Sequence, residues 1–418
     1  MTNLERAGQK ITAALLVTQS LFSASVIMVF AISSIIMEQL MGGNNQWAGA
    51  PSFIIMVGAA IAAYRIGRLM DKTGRRVGLS IGQVFGIGGA LLAGFGVIQT
   101  SLLFFLLGVF CIGLAKGVND LGRYAASEAN ILSRRARAIS LVVLGSTVGS
   151  VAGPSLIKWT GILAKSYGFP ELSGPWFAAA LFIALALVVV NLFLRPDPMQ
   201  IGRQLATLEP QPSLSQTHGG RSFQEILLTE SRAKVAVSAM VFGQLTMTMV
   251  MTVTPVHMHG HQHEIGDISW VIMAHTLGMF GLSFVVGWLV DRLGRFKMIT
   301  FGGLTLIAAC LLAPLSTDTL WLALALFLLG LGWSACFVAG STLLADVLQP
   351  HEKGRVQGSA DAWVNIAAGT GSLSSGFIFT ALGFTTMNGI GLMIALIPLL
   401  LVVLLKTTRP EVPVESAI

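Results

Sequence analysis

Three charged side chains interrupt one long apolar stretch of the sequence. Lys116, Asp120 and Arg123 are spaced four and three residues apart, so in a helix they lie on one face within about 40°. Each such charge costs about 2.5–3.5 kcal/mol at the centre of a bilayer helix. We therefore expect the stripe to face protein or a water-filled cavity, where it could bind a substrate or carry a proton. A self-neutralising ladder of charges is the alternative.

A second polar face lies near the C-terminus, where Asp361 and Asn365 are four residues apart. A titratable carboxylate in an apolar helix is a candidate for carrying protons, and hydrogen bonding between helices is the alternative. Gln19 and Gln244 also fall within apolar stretches. They could line a cavity with the charged residues or bond to neighbouring helices.

Histidines concentrate in one short segment, where His257, His259, His261 and His263 alternate along the chain. Such a cluster could bind a divalent metal or respond to external pH, and a solvated loop of biased composition would look the same. His275 follows inside an apolar stretch. It could line the cavity or bond to a neighbouring helix.

The elements that must position these residues are membrane helices. Of 418 residues, 54% are hydrophobic and 11% are charged, whereas a soluble domain carries about 25% charged residues. The chain is therefore expected to lie in a lipid bilayer. Apolar stretches of sufficient length predict twelve spans, at 11–37, 51–66, 77–99, 101–127, 138–158, 174–194, 235–256, 268–290, 298–317, 319–345, 356–380 and 384–405.

The spans divide into two sets of six. This predicts a bundle at 1–194, a linker at 195–234 and a second bundle with a short tail at 235–418. Ser222 and Glu225 have capping-box spacing in the linker and predict a short helix on the membrane surface. Lys and Arg concentrate in alternate loops, the linker and the termini, which places both termini in the cytoplasm. The net charge of +7 thus reflects topology, and no nucleic-acid partner is expected.

A ten-residue motif occurs once in each half. Gly, Asp, Gly and Arg recur at an offset of 220 residues, as Gly67, Asp71, Gly74 and Arg75 and then as Gly287, Asp291, Gly294 and Arg295. Two acidic residues farther along, Glu128 and Asp346, recur at an offset of 218. The repeated order and spacing indicate an internal duplication.

These loops resemble the signature G-x-x-x-D-R/K-x-G-R-R/K of the major facilitator superfamily. The first copy matches it fully, and the second departs at Phe296. The resemblance implies an all-α membrane fold of twelve helices in two six-helix bundles. It also implies alternating access driven by an ion gradient, most simply of protons, without a cofactor. In the family this loop latches the cytoplasmic side, so the residues of both loops would form the latch with Glu128 and Asp346 as partners.

The glycine run Gly145, Gly149 and Gly153, followed by Pro154, partly resembles the antiporter motif of the drug/proton branch. We therefore predict a monomeric transporter of the cytoplasmic membrane that exports a small organic compound in exchange for protons. The alternatives are transport of a divalent metal or metal complex through the histidine segment, proton-coupled uptake of a metabolite, and a non-transporting receptor. No H-E-x-x-H, P-loop or nucleophile with a base occurs, so no enzyme is expected.

Overall fold

Long apolar helices make up almost the whole chain. The computed structural model describes residues 3–131, 134–208, 221–348 and 353–406, and these ranges contain no strand. The N-terminal half contains α1 (Asn3–Leu40), α2 (Ala50–Thr73), α3 (Arg75–Ile98), α4 (Leu102–Asn119), α5 (Gly122–Glu128), α6 (Arg135–Ser166) and α7 (Gly174–Phe193). The linker contains α8 (Pro198–Leu208) and α9 (Phe223–Thr229). The C-terminal half contains α10 (Ser231–Gly260), α11 (Ile265–Thr276), α12 (Ser283–Leu293), α13 (Arg295–Leu312), α14 (Thr319–Val347) and α15 (Lys353–Lys406).

The chain is an all-α membrane protein. Within the described ranges, nine helical segments are long and apolar enough to cross a bilayer, and the pair α11 and α12, bent by 42°, makes a tenth. A π-helical turn at Leu277–Gly281 lies at that bend. The last segment is divided at Gly383, where φ is 80° and ψ is 173°, a conformation that glycine adopts readily. This division gives two helical stretches near the predicted eleventh and twelfth spans, and α2 lies where the second span was predicted; that all twelve cross the membrane stays a prediction.

Helix packing repeats between the halves. In the first half α1 packs on α6 and α7, α2 packs on α4, and α3 packs on α4 and α7. In the second half α10 packs on α15 and α14, and α14 also packs on α11 and α13. The first and fifth spans of each half are thus close partners, as the internal duplication indicates.

Glycines bring α6 into backbone contact with α1. A Cβ added at Gly145, Gly149 or Gly153 would lie 2.5, 2.2 or 2.4 Å from the carbonyl oxygens of Leu16, Ser20 and Ala24. Real Cβ atoms do not approach oxygen so closely, so the two helices can pack this way only because side chains are absent there.

Gly149→Ala is therefore expected to destabilise the protein by about 1–3 kcal/mol, because the methyl group must push α1 and α6 apart. Thermal unfolding in detergent measures the change. Gly88→Ala is the matched control, since Gly88 lies in α3 with no heavy atom within 4 Å of an added Cβ. Alanine favours the helix there, so the control should unfold at or above the wild-type temperature. Equal unfolding of the two variants would contradict the packing argument.

The described parts of the linker, 195–208 and 221–234, contain more helix than the sequence indicates. The predicted helix is present as α9, and Ser222 and Glu225 form both hydrogen bonds of the capping box. An additional helix, α8, precedes it and begins at Pro198. The prolines of the linker suggest a break in the chain, but proline is well suited to the first turn of a helix. Asp197 accepts hydrogen bonds from the backbone N–H groups of Arg75 and Arg76 at 3.1 and 2.9 Å, so the start of the linker is fixed to α3.

Candidate functional site

The two halves meet at one end of the bundle. We call the end that carries the two repeated loops the motif end, and the other the opposite end. At the opposite end the Ser372 hydroxyl donates to the carbonyl oxygen of Gly49 at 3.1 Å. The rings of Trp47 and Phe377 are in edge-to-face contact there, with centroids 5.1 Å apart. These contacts close the space between the halves at that end.

A cleft of about 650 Å³ lies below this contact, between α2, the pair α4 and α5, and α15. On α15 its lining runs from Thr370 to Gly358, toward the motif end. The cleft brings together residues that the sequence analysis singled out separately: Lys116, Asp120, Arg123, Asp361 and Asn365. Its volume is within the range of about 300–1,000 Å³ that is usual for ligand pockets.

Charges of both signs face one another in this cleft. Lys116 Nζ lies 2.7 Å from Asp120 Oδ2, so these two groups neutralise each other along one helix. Arg123 donates to the Tyr124 hydroxyl at 3.2 Å, and its Nε is buried without a hydrogen-bond acceptor among the described residues. Asp361, in the other half, interacts electrostatically with Arg123. The cleft therefore has one internally satisfied pair and one attraction across the halves.

A chain of hydrogen-bonded side chains stabilises the break in the helix that lies beside Lys116 and Asp120. The fourth span is interrupted between Asn119 and Gly122. Gln83 donates to Asn119 at 3.2 Å, Asn119 donates to Gln19 at 2.6 Å, and Gln19 donates to Ser146 at 2.8 Å. The chain of bonds thus ties α1, α3, α4 and α6 together, and Gln19, at its centre, is not part of the cleft lining described above.

The position of the second half that corresponds to Asn119 lies in a cluster of aromatic side chains. The Trp333 indole donates to Gln244 at 2.7 Å and stacks on Phe337, with ring centroids 5.2 Å apart and planes at 18°. Phe280, from the π-helical turn, packs edge-on against it at 5.9 Å. Phe337 follows Asn119 by the duplication offset of 218 residues. The sequence analysis missed this cluster; its signal is a tryptophan in an apolar span, whose N–H requires a buried partner.

His275 is buried at 2% exposure, and its Nδ1 lies 2.9 Å from the Leu326 carbonyl oxygen. Of its two predicted roles, bonding to a neighbouring helix fits this placement. His275 sits in α11 and Leu326 in α14, so the contact joins two spans of the second half.

The structure spreads the histidine segment over the end of a helix and the turn that follows it. The alternating histidines begin inside the last turn of α10, where residues two apart point in different directions. The His257 ring stacks on Phe384 at 3.9 Å, and His263 lies 3.3 Å from the Thr319 hydroxyl. In the described ranges no three His, Cys, Asp or Glu side chains form a group that could hold a metal ion. The rings of His257 and His261 are in contact, with centroids 4.4 Å apart, and the metal role of the four histidines stays a prediction.

The repeated loops turn on glycines with the same conformation. Gly74 and Gly294 have φ values of 100° and 91°, so each can end one helix and begin the next without the strain that a side chain would cause. Gly287 has no heavy atom within 4 Å of an added Cβ, so it makes no close helix contact in this conformation. Gly67 and Asp71 both lie in α2, and the side chain of Asp71 is outside the part of the chain that the structure describes.

The whole chain matches a family model. The model for the Major Facilitator Superfamily covers residues 13–264 and 236–417. The chain belongs to the major facilitator superfamily. It is therefore a multi-pass membrane transporter, as the signature loops indicated.

Relatives in this superfamily differ in their described roles. The chain is 33% identical over 390 residues to an uncharacterized MFS-type transporter, YdeG, of Bacillus subtilis (strain 168), covering 91% of this chain and 90% of YdeG. It is 29% identical over 416 residues to the riboflavin transporter RfnT of Brucella anthropi, covering 98% of each. The multidrug resistance protein MdtG of Dickeya zeae is 24% identical, covering 86% of each.

Solved structures show the same fold. A bacterial homologue of the human lysosomal transporter Spinster, in an inward-facing and occupied conformation, superposes with a TM-score of 0.70 at 14% identity and covers 98% of both chains. A peptide transporter POT bound to alafosfalin gives 0.68 at 13% identity, covering 97% of this chain and 99% of that one.

In this superfamily member the loop charges pair within each half. Arg75 Nε lies 2.8 Å from Glu128 Oε2, and Arg295 Nε lies 3.0 Å from Asp346 Oδ2. Asp291 approaches Arg295 at 3.7 Å. Glu128 and Asp346 thus occupy the predicted partner positions. Each pair fixes the end of a span in its own half.

Proposed function

We propose that this transporter exports a small planar organic compound from the cytoplasm in exchange for protons. The observation that carries the proposal is the cleft between the halves, which is lined by Arg123 from one bundle and by Asp361 from the other. A group that gains or loses a proton at such a place changes the attraction between the halves, and protonation can then bias one conformation.

The proposed orientation is compatible with export. The distribution of Lys and Arg in the sequence favours a cytoplasmic motif end. With that orientation, the cleft extends toward the cytoplasm and the Gly49–Ser372 contact closes the outside. In this conformation the cleft is accessible to a compound inside the cell. The glycine run of α6, which partly resembles the antiporter motif, also favours export.

The aromatic cluster supports a planar substrate. α14 is the duplicate of α4, and on it Trp333 and Phe337 lie at the positions of the buried Ala115 and Asn119, beside the residues of α4 that line the cleft. Aromatic faces stack on flat rings and contribute about 0.5–1.5 kcal/mol beyond their buried area. Both a drug-like compound, as the name of MdtG suggests, and a flavin, as the name of RfnT suggests, contain such rings.

The test is transport by the purified protein in liposomes under an imposed pH gradient, with ethidium and riboflavin as the two probes. We expect ethidium to move against the proton flux. Trp333→Ala should reduce the rate by about tenfold because a stacking surface is lost. Trp333→Phe should retain most of it. Trp159→Ala is the control, since Trp159 is 68% exposed on the outer surface.

Two results would change the proposal. If riboflavin moves down the pH gradient with the protons and ethidium does not move, uptake of a flavin-like metabolite replaces export; the 98% coverage of RfnT makes this the second candidate. If Trp333→Ala transports as fast as Trp159→Ala, the aromatic cluster has no part in binding.

A further inference from the structure

A groove on the outer surface of the first half has no role in the transport cleft. It lies between α3 and α7, encloses about 470 Å³, and is lined by Arg76, Val77, Ser80, Ile81, Val84, Phe85 and Asn191. Val84 and Phe85 are 59% and 41% exposed. Large apolar side chains exposed along a membrane span face lipid. Acyl chains are therefore the material that borders this groove.

Polar groups lie inside the groove among the apolar ones. Asn191 donates to the Ser80 hydroxyl at 3.1 Å and to the Leu187 carbonyl at 2.9 Å. Because the Ser80 oxygen accepts this bond, its own O–H can donate to another acceptor. An ester or phosphate oxygen of a lipid is such an acceptor.

Two arginines stand at the motif end of the groove. Arg76 is part of the lining, and the exposed Arg195 donates through Nε to the carbonyl oxygen of Asn191 at 3.1 Å. The carboxylate at this corner, Asp197, accepts from the backbone N–H groups of Arg75, Arg76 and Met199. The Asp197 carboxylate thus stabilises the start of α3 by accepting from backbone N–H groups. The arginine side chains supply positive charge at the level where lipid headgroups lie.

We propose that an anionic phospholipid of the leaflet at the motif end binds in this groove. Its phosphate contacts Arg76 and Arg195, its ester region contacts Ser80, and one acyl chain lies along Val84 and Phe85. The second half lacks the site, because Phe296 stands at the position that corresponds to Arg76 at the duplication offset of 220 residues. A single tightly held lipid per chain is therefore expected.

Native mass spectrometry of the full-length protein, titrated with phosphatidylglycerol or phosphatidylcholine, tests the proposal. We expect one phosphatidylglycerol per chain to be retained more strongly than phosphatidylcholine. The double variant Arg76→Gln/Arg195→Gln should weaken that binding by about thirtyfold, since each arginine near anionic headgroups contributes about a fivefold factor. Lys297→Gln, which removes an exposed basic residue beside the second loop, should leave binding unchanged.

Val84→Trp tests whether an acyl chain occupies the groove, and it leaves Arg76 and Arg195 unchanged. Val84 is already exposed, so the larger side chain should be tolerated by the fold while it fills the space for the acyl chain. We expect about tenfold weaker retention. Equal retention of the two lipids by the wild type, or full retention of phosphatidylglycerol by the double variant or by Val84→Trp, would overturn the assignment.

Discussion

Gly49→Ala is expected to hold the halves apart at the opposite end and to reduce transport by at least about tenfold. A Cβ at this position would lie 1.6 Å from the Ser372 carbonyl oxygen and 2.4 Å from its carbon. Gly49 has φ −85° and ψ −10°, which alanine adopts without strain. The substitution therefore leaves the local backbone unaffected and acts only when the halves close. A transporter that cannot close one side cannot complete the cycle.

Distance measurements between spin labels can detect this shift. Labels at Gln39 and Thr380, which are exposed and belong to different halves, should move apart in Gly49→Ala. Both labels would be attached to introduced cysteines in a variant whose own cysteines, Cys111, Cys310 and Cys336, are replaced by serine. Gly389→Ala is the control, because no heavy atom lies within 4 Å of its added Cβ. An unchanged distance distribution in Gly49→Ala, with normal transport, would show that the contact with Ser372 is not a gate.

Asp361→Asn is expected to uncouple transport from protons. Asparagine has nearly the same shape as aspartate but takes up no proton, so it resembles the protonated carboxyl at every pH. The attraction to Arg123 across the cleft is then lost permanently. We expect transport driven by a pH gradient to fall by at least about tenfold, while exchange of labelled for unlabelled substrate without a gradient continues.

The control for this variant is the other acid of the cleft. Asp120 is paired with Lys116 at 2.7 Å, so Asp120→Asn leaves an unpaired ammonium group and should weaken transport in both assays alike. If Asp120→Asn abolishes only the gradient-driven transport and Asp361→Asn does not, the proton carrier is Asp120 and our assignment of roles is wrong.

Much of the fold follows from local features of the sequence. The spans, the repeated loops and the capping box at Ser222 depend on residues close together in the chain, and each is present in the structure. The pairing of Lys116 with Asp120 is of the same kind, because four residues make one helical turn. Such features can be predicted from spacing alone.

The rest depends on how distant helices pack. Arg123 and Asp361 belong to different halves, and nothing in their spacing indicates that they face each other. To predict the aromatic cluster, one would have to know that Trp333 contacts Gln244, and these two residues belong to different spans. In the histidine segment the pattern is local, but the surroundings of the side chains are not: the His257 ring stacks on Phe384, a partner that the segment itself does not specify.

The contact between Gly49 and Ser372 also bears on how such a protein can evolve new substrates. On the Gly49 side this contact uses main-chain atoms, whereas the cleft below it is lined by side chains such as those of Phe53, Lys116 and Asn365. Substitutions in the cleft can therefore change which compounds fit without altering how the halves come together. A lineage could broaden or narrow its substrate range one side chain at a time while the machinery of the cycle is inherited unchanged.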